Sequence, residues 1–175
     1  MGIFKKSLLP VIVLCLALVM PALAFADAGI ELRVPYQGLT NASSLAGGAS
    51  GSGVLLFFGL DAGTTVGLLT EQVNFTDNSV IGTYMVNAIR FSKDVISDRF
   101  FFALDIGSGQ NAVKQGTLAD VAFGWKYLGK KDQITSFINV ELVYRLFSPG
   151  ASMVAKGITT DYGGVFLNLG AGLSF

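Results

Sequence analysis

From Asp27 to the end of the chain, apolar residues recur at every second position, segment after segment, with small or polar residues between them. The last stretch, DYGGVFLNLGAGLSF, is the plainest case. Val165, Leu167, Leu169, Ala171, Leu173 and Phe175 alternate with Gly164, Asn168, Gly170, Gly172 and Ser174, and only Phe166 is out of step. A period of two marks a β-strand, whose successive side chains point to opposite faces. This strand finishes on a bare phenylalanine. Free termini fray and an open strand edge recruits other chains, so both the edge and the apolar row require a cover.

The other end of the chain reads MGIFKKSLLPVIVLCLALVMPALAFA. Lys5 and Lys6 form a short basic start, an apolar stretch runs from Leu8 to about Leu23, and Ala24-Phe25-Ala26 has the small-x-small form that signal peptidase accepts. Residues 1–26 are therefore expected to be a cleaved secretory signal, leaving residues 27–175 as the mature chain. The stretch is nearly long enough to be a membrane anchor, but Pro21 and the Ala-x-Ala site argue against that. Cys15, the sole cysteine, lies inside the segment, and Leu14 is a poor fit to a lipoprotein site there. The mature chain should carry no thiol, no disulfide and no cysteine-based metal site.

Charge and hydropathy narrow the fold. The chain has 12 basic and 12 acidic residues, so without Lys5 and Lys6 the balance is 10 against 12, with no basic excess for nucleic acid. With 51% hydrophobic residues it is oily for a soluble domain, yet beyond residue 26 no apolar run is long enough for a membrane helix. Membrane strands reconcile the two facts. A closed barrel pairs every backbone donor and acceptor and needs only alternate residues to be apolar.

Eight such segments can be counted. The first sets Ile30, Leu32, Val34 and Tyr36 against Glu31, Arg33 and Gln37, and is followed by the loop-like tract GLTNASSLAGGASGSG. The second, VLLFFGL, is apolar on both faces and ends at the turn DAG. The third (about 64–74) and fourth (about 80–91) flank a short polar link near Asp77. Their facing is open, because Tyr84, Val86 and Ala88 share parity with Arg90 while Ile81, Met85 and Ile89 share parity with Asn87. The fifth sets Phe100, Phe102, Leu104 and Ile106 against Arg99, Ala103 and Asp105, with Phe101 out of step, and ends at GSGQNAVKQG. The sixth sets Ala119, Val121, Phe123, Trp125 and Tyr127 against Asp120, Ala122, Gly124 and Lys126. The seventh sets Ile138, Val140, Leu142, Tyr144 and Leu146 against Asn139, Glu141 and Arg145. Links one and seven are long, link five is intermediate, links two and six are tight and link four is modest. Only the third fits poorly as a long one. The pattern predicts an all-β, eight-stranded, antiparallel up-and-down transmembrane barrel with both termini at the short-turn end.

A signal segment, eight alternating strands and a terminal strand closing on Phe175 resemble the small bacterial outer-membrane barrels of the OmpA, OmpX and OmpW kind, over the whole mature chain. The resemblance implies an outer-membrane location, short turns on the periplasmic side, contact with outer-membrane lipids and lipopolysaccharide, and a monomer. It also implies that the barrel-assembly machinery reads the terminal aromatic and the apolar positions before it, here Leu167, Leu169, Ala171, Leu173 and Phe175. The last strand would pair with the first, abolishing the open edge.

Each face then has an expected role. The apolar rows form a lipid-facing belt, with Tyr36, Trp125, Tyr127 and Tyr144 as an aromatic girdle near the headgroups. A soluble barrel with apolar rows turned inward, as in lipocalins, is the competing arrangement. An eight-strand lumen is just wide enough for side chains to fill, and charges there must be paired. A lumen network of Glu31, Arg33, Glu141 and Asn168 is expected, with a second cluster of Asp105, Asp120 and Arg145 toward the outer rim; Lys126 and Asn139 share these inward rows. Gly164, Gly170 and Gly172 would make room for long side chains.

Catalysis has little to stand on. The chain has no histidine, which removes Ser-His-Asp and Cys-His arrangements and most zinc sites. The outer-membrane lipid A deacylases, palmitoyltransferases and omptin-like proteases resemble this architecture but depend on histidine, so no enzyme activity, cofactor or metal is expected. The GSG triplets at 51–53 and 107–109 precede no helix and are not phosphate cradles. Three functional classes remain: a structural envelope barrel with a plugged lumen, a small channel or OmpW-like route for small or hydrophobic solutes, and a loop-mediated adhesin or receptor acting through 38–52 or 148–160.

Overall fold

The computed structural model describes residues 28–37, 48–75, 83–111, 114–129, 134–149 and 164–175. The expected signal segment, Cys15 and the greater part of both long links lie outside the described residues. Eight strands follow in order: β1 Ala28–Gln37, β2 Ala49–Asp61, β3 Thr64–Phe75, β4 Thr83–Ile96, β5 Phe100–Asn111, β6 Lys114–Leu128, β7 Thr135–Pro149 and β8 Gly164–Ser174. Each pairs antiparallel with the next, and β8 pairs with β1, so the sheet is a closed up-and-down barrel. The terminal strand is zipped at its very end: Ala28 N–H donates to the Phe175 carbonyl (3.0 Å) and Phe175 N–H to the Ala28 carbonyl (2.8 Å). The open edge suggested by the sequence is gone.

The pairing register sets the tilt. From Ala28 the paired positions run through Phe58, Val66, Phe91, Leu104, Val121 and Tyr144 to Val165. Across the seam Ala28 pairs directly with Phe175, so the circuit reaches β8 ten residues away from the residue that β1 meets directly. For eight strands such a stagger implies a tilt of about 40° and an interior that side chains fill.

Several strands are longer than the sequence suggests. The tail of the first loop-like tract, Ala49 to Gly53, pairs with Phe75 to Glu71 in β3, and all of GSGQN in β5 pairs with β6, leaving only 112 and 113 between those strands. Ladder bonds join backbone groups, so Gly and Ser can extend a ladder once flanking residues have fixed its register. Gly51 illustrates the fit, since a Cβ there would strike the Gln72 carbonyl. Conversely Arg99, expected in the fifth strand, sits in the 97–99 turn that Ser97 enters with a positive φ of 57°. The β2–β3 turn uses Gly63 at φ 81°, a conformation glycine adopts without strain.

Parity divides the chain into two faces. Leu32 and Leu142 are 63% and 56% exposed on the outside, whereas Arg33 and Glu141 are each 1% exposed within. The open question of the third and fourth strands is answered the same way. Leu69, Glu71 and Val73 of β3 and Tyr84, Val86, Ala88 and Arg90 of β4 point inward, and Leu68, Ile89 and Phe91 point out. The aromatics that broke the alternation, Phe101 and Phe166, are inward and buried because the lumen has an apolar component of its own.

Candidate functional site

The inward rows of β1, β3, β4, β5, β6 and β7 bring eight charged side chains into one connected chain across the lumen. Arg33 of β1 stands at its centre, with Nη2 2.6 Å from Glu141 Oε2, Nε 3.2 Å from Glu71 Oε1 and Nη1 3.6 Å from Glu31 Oε1. Glu141 is shared with Arg90, whose Nη2 donates to Oε2 at 2.9 Å, and Arg90 also reaches Asp105 Oδ2 at 3.4 Å. Glu71 is shared with Arg145 at 2.9 Å, and Arg145 clasps Asp120 through Nε and Nη2 at 2.7–3.0 Å. The order is Asp105, Arg90, Glu141, Arg33, Glu71, Arg145, Asp120, with Glu31 as a branch. Alternation of sign along this string is what makes so much buried charge tolerable, because each interior arginine lies between two carboxylates.

The expected sites map onto this string unevenly. Glu31, Arg33 and Glu141 come together as expected, and Asp120 binds Arg145. Asp105 lies between Asp120 and Arg90 in the ladder and pairs with Arg90, while Asp120 pairs with Arg145 on its own far side, so the two like charges are each served by a separate arginine. Asn139 is buried and its amide approaches Glu141 Oε1 at 3.4 Å. Asn168 is buried opposite Glu141 in the register, but its Oδ1 accepts no hydrogen bond, so it lines the network without joining it. Lys126 stands apart near the short turns, bonded to both Asp94 oxygens at 2.8 and 3.0 Å and 5.8 Å from the Phe101 ring centre. Glu71 and Arg90 are the members that the sequence did not single out.

Apolar residues pack around the string. At the loop end Tyr84 and Phe147 meet edge to face at 5.3 Å, beside Leu118 and Val86. Phe166 lies under the Arg145 guanidinium at 4.8 Å and packs with Val73, Val143 and Ala122. Toward the short turns the lumen opens instead, into a cavity whose walls include Phe57, Phe101 and Phe137. The glycines fit their neighbours: a Cβ on Gly172 would strike the Phe137 ring, and one on Gly170 would strike Asn139 Oδ1 and Glu31 Oε1. Gly170→Val should therefore lower stability by about 1–3 kcal/mol through overpacking, read as a reduced urea midpoint.

Outside, Leu167, Leu169, Leu173 and Phe175 of the terminal strand are exposed in one row with Ala171. Tyr36, Trp125, Tyr127 and Tyr144 also face outward. Trp125 and Tyr127 lie toward the short turns. Tyr144 is mid-strand in β7, but the climbing register carries it to the loop-side part of the barrel, near Tyr36 across β8. Above the apolar rows β3 and β4 turn polar, with Thr70 donating to Asn87 Oδ1 (3.1 Å) and Thr83 to Asn74 Oδ1 (2.8 Å). The exterior is thus an apolar band with a polar collar on the loop side.

No protein-family model, curated protein or solved structure matches the chain. Fold and site together define the class: a closed, eight-stranded, antiparallel up-and-down barrel with an apolar outer band and an ion-paired interior.

Proposed function

We propose that the chain is an integral outer-membrane barrel whose lumen is closed by its own charged side chains, with a structural role in the cell envelope. The observation that carries this is the inverted partition: aliphatic and aromatic residues cover the outside, while three arginines share Glu71 and Glu141 within. Such a surface in water would be a large aggregation site, whereas a bilayer covers it at no cost. Outer-membrane lipids and lipopolysaccharide are the partners this exterior suits. The row Leu167, Leu169, Ala171, Leu173 and Phe175 would be read by the barrel-assembly machinery, and the β1–β8 seam leaves a monomer without an open edge. No catalytic role is proposed for the carboxylates, since each is occupied as an ion-pair partner.

A narrow channel is the second reading, favoured by the short-turn cavity, which reaches Glu141 and Arg90 from one side. Planar-bilayer recording separates the two. Protein purified in detergent from cells expressing the full chain should migrate faster before boiling than after, and should give no discrete current steps. Steps in the wild type whose size changes in Glu141→Gln would establish the channel in place of the plug.

A further inference from the structure

The cavity at the short-turn end has a volume of about 410 Å³, within the range of small-molecule sites. Three features give it a chemical character. Its walls are largely apolar, with Phe57 and Phe137 meeting edge to face at 5.8 Å and Leu55 and Leu128 beside them. Its charged lining leans acidic: Glu31, Asp61, Asp94, Asp98 and Glu141 stand against Arg90 and Lys126, and with Arg33 and Lys93, which pair with these acids from outside the lining, one negative charge remains in excess. Two buried side chains in that lining, Glu31 at 4% and Asn139 at 3% exposure, keep acceptor oxygens that receive no hydrogen bond, Oε1 and Oδ1, and the one cation near Glu31 Oε1, Arg33 Nη1, stands off at 3.6 Å. Both oxygens converge over Gly170, in the space a side chain there would take.

An anion is repelled by this lining and a neutral apolar molecule leaves both acceptors unmet. A bare metal ion is poorly served too, because among the described residues no three acidic side chains gather closely enough to hold one. An ammonium group supplies donors for both oxygens and a positive charge for the acidic excess, and aromatic faces favour cations and their apolar substituents alike. We propose that this cavity binds a small organic cation, its ammonium donating to Glu31 and Asn139 and its apolar body lying against Phe57 and Phe137. The proposal requires the closed barrel but not its membrane setting.

The test uses protein from the full chain in a non-ionic detergent, with 2-phenylethylammonium as probe and equilibrium dialysis as readout. The uncharged analogue 2-phenylethanol and the anionic 3-phenylpropanoate control for partition into micelles. Saturable binding of one amine per barrel is expected, with the alcohol about tenfold weaker and the carboxylate not bound. Glu31→Gln should weaken the amine about tenfold, because the amide oxygen still accepts but no longer carries the charge that strengthens the bond. Asp98→Lys lies in the exposed 97–99 turn, so it leaves packing alone. By reversing a charge at the mouth it should weaken binding about threefold, and more at low salt. Equal binding of amine and alcohol, no saturation at millimolar probe, or unchanged affinity in Glu31→Gln would overturn the proposal. If Glu31→Gln fails to fold, as heat-modifiable migration would reveal, unchanged low-salt affinity in Asp98→Lys overturns it.

Discussion

Arg33→Ala should lower the stability of the barrel by about 3–5 kcal/mol, the loss seen when one partner of a buried ionic group is removed. The size follows from its position. Arg33 is fully buried and faces Glu31, Glu71 and Glu141 at once, so its removal leaves three carboxylates with two arginines, Arg90 and Arg145, already engaged elsewhere. Urea titration of the heat-modifiable band in lipid vesicles measures the change. Arg33→Lys separates charge from shape: one ammonium on a flexible stem cannot match a planar fork that meets carboxylates on several sides, so a large part of the loss should remain. Pairing Arg33→Met with Glu141→Gln should recover part of it, because the double variant removes an uncompensated charge as well as a contact. A loss below about 0.5 kcal/mol for Arg33→Ala, the level of an ordinary surface substitution, would mean that the string is not what fills and braces the lumen.

The fold was legible because period two survives wherever one face is uniformly apolar, as in the first, sixth, seventh and eighth segments. The missing members of the network have a physical cause as well. On β3 and β4 the outward row changes from Leu68, Ile89 and Phe91 to Thr70, Gln72, Asn74 and Asn87 on the loop side, while the inward row carries Leu69, Val73, Val86 and Ala88 beside Glu71 and Arg90. Neither row is uniform, so parity alone could not choose. The clue lay in Arg90 itself, which shares its parity with Tyr84, Val86 and Ala88. A small lumen needs apolar filling between its charges, and an arginine in such a row is an interior residue with apolar neighbours. Asp105 shows the same limit. Its ladder neighbours are Asp120 on β6 and Arg90 on β4, so its pairing with Arg90 follows from the register once the facing of β4 is known, and the mixed rows of that strand left the facing open. Strand ends were misjudged at 49–53 and 107–111 for another reason: glycine and serine carry the marks of a loop even where the neighbouring strand fixes their register.

Leu142→Arg should cost about 2–4 kcal/mol in a bilayer, the depth-dependent penalty for a cation on the lipid face of a barrel near its midplane. Leu142 is mid-strand in β7, its neighbour across the ladder is Leu167, and more than half of its surface is exposed. Leu173→Arg, one residue from the end of β8 beside the short turns, should cost only about 0–1 kcal/mol, because an arginine there reaches the headgroups. The difference between the two positions decides what covers the outer band. In water both residues are exposed, and an arginine at either should change stability by no more than about 0.5 kcal/mol. A gradient from midplane to rim, measured by urea titration in vesicles, therefore reports hydrocarbon against the outer face, and its steepness reports where the band is centred. Equal and small effects at both positions would put water there instead. The apolar rows would then need a different cover, and the inward charges would be the polar core of a soluble barrel.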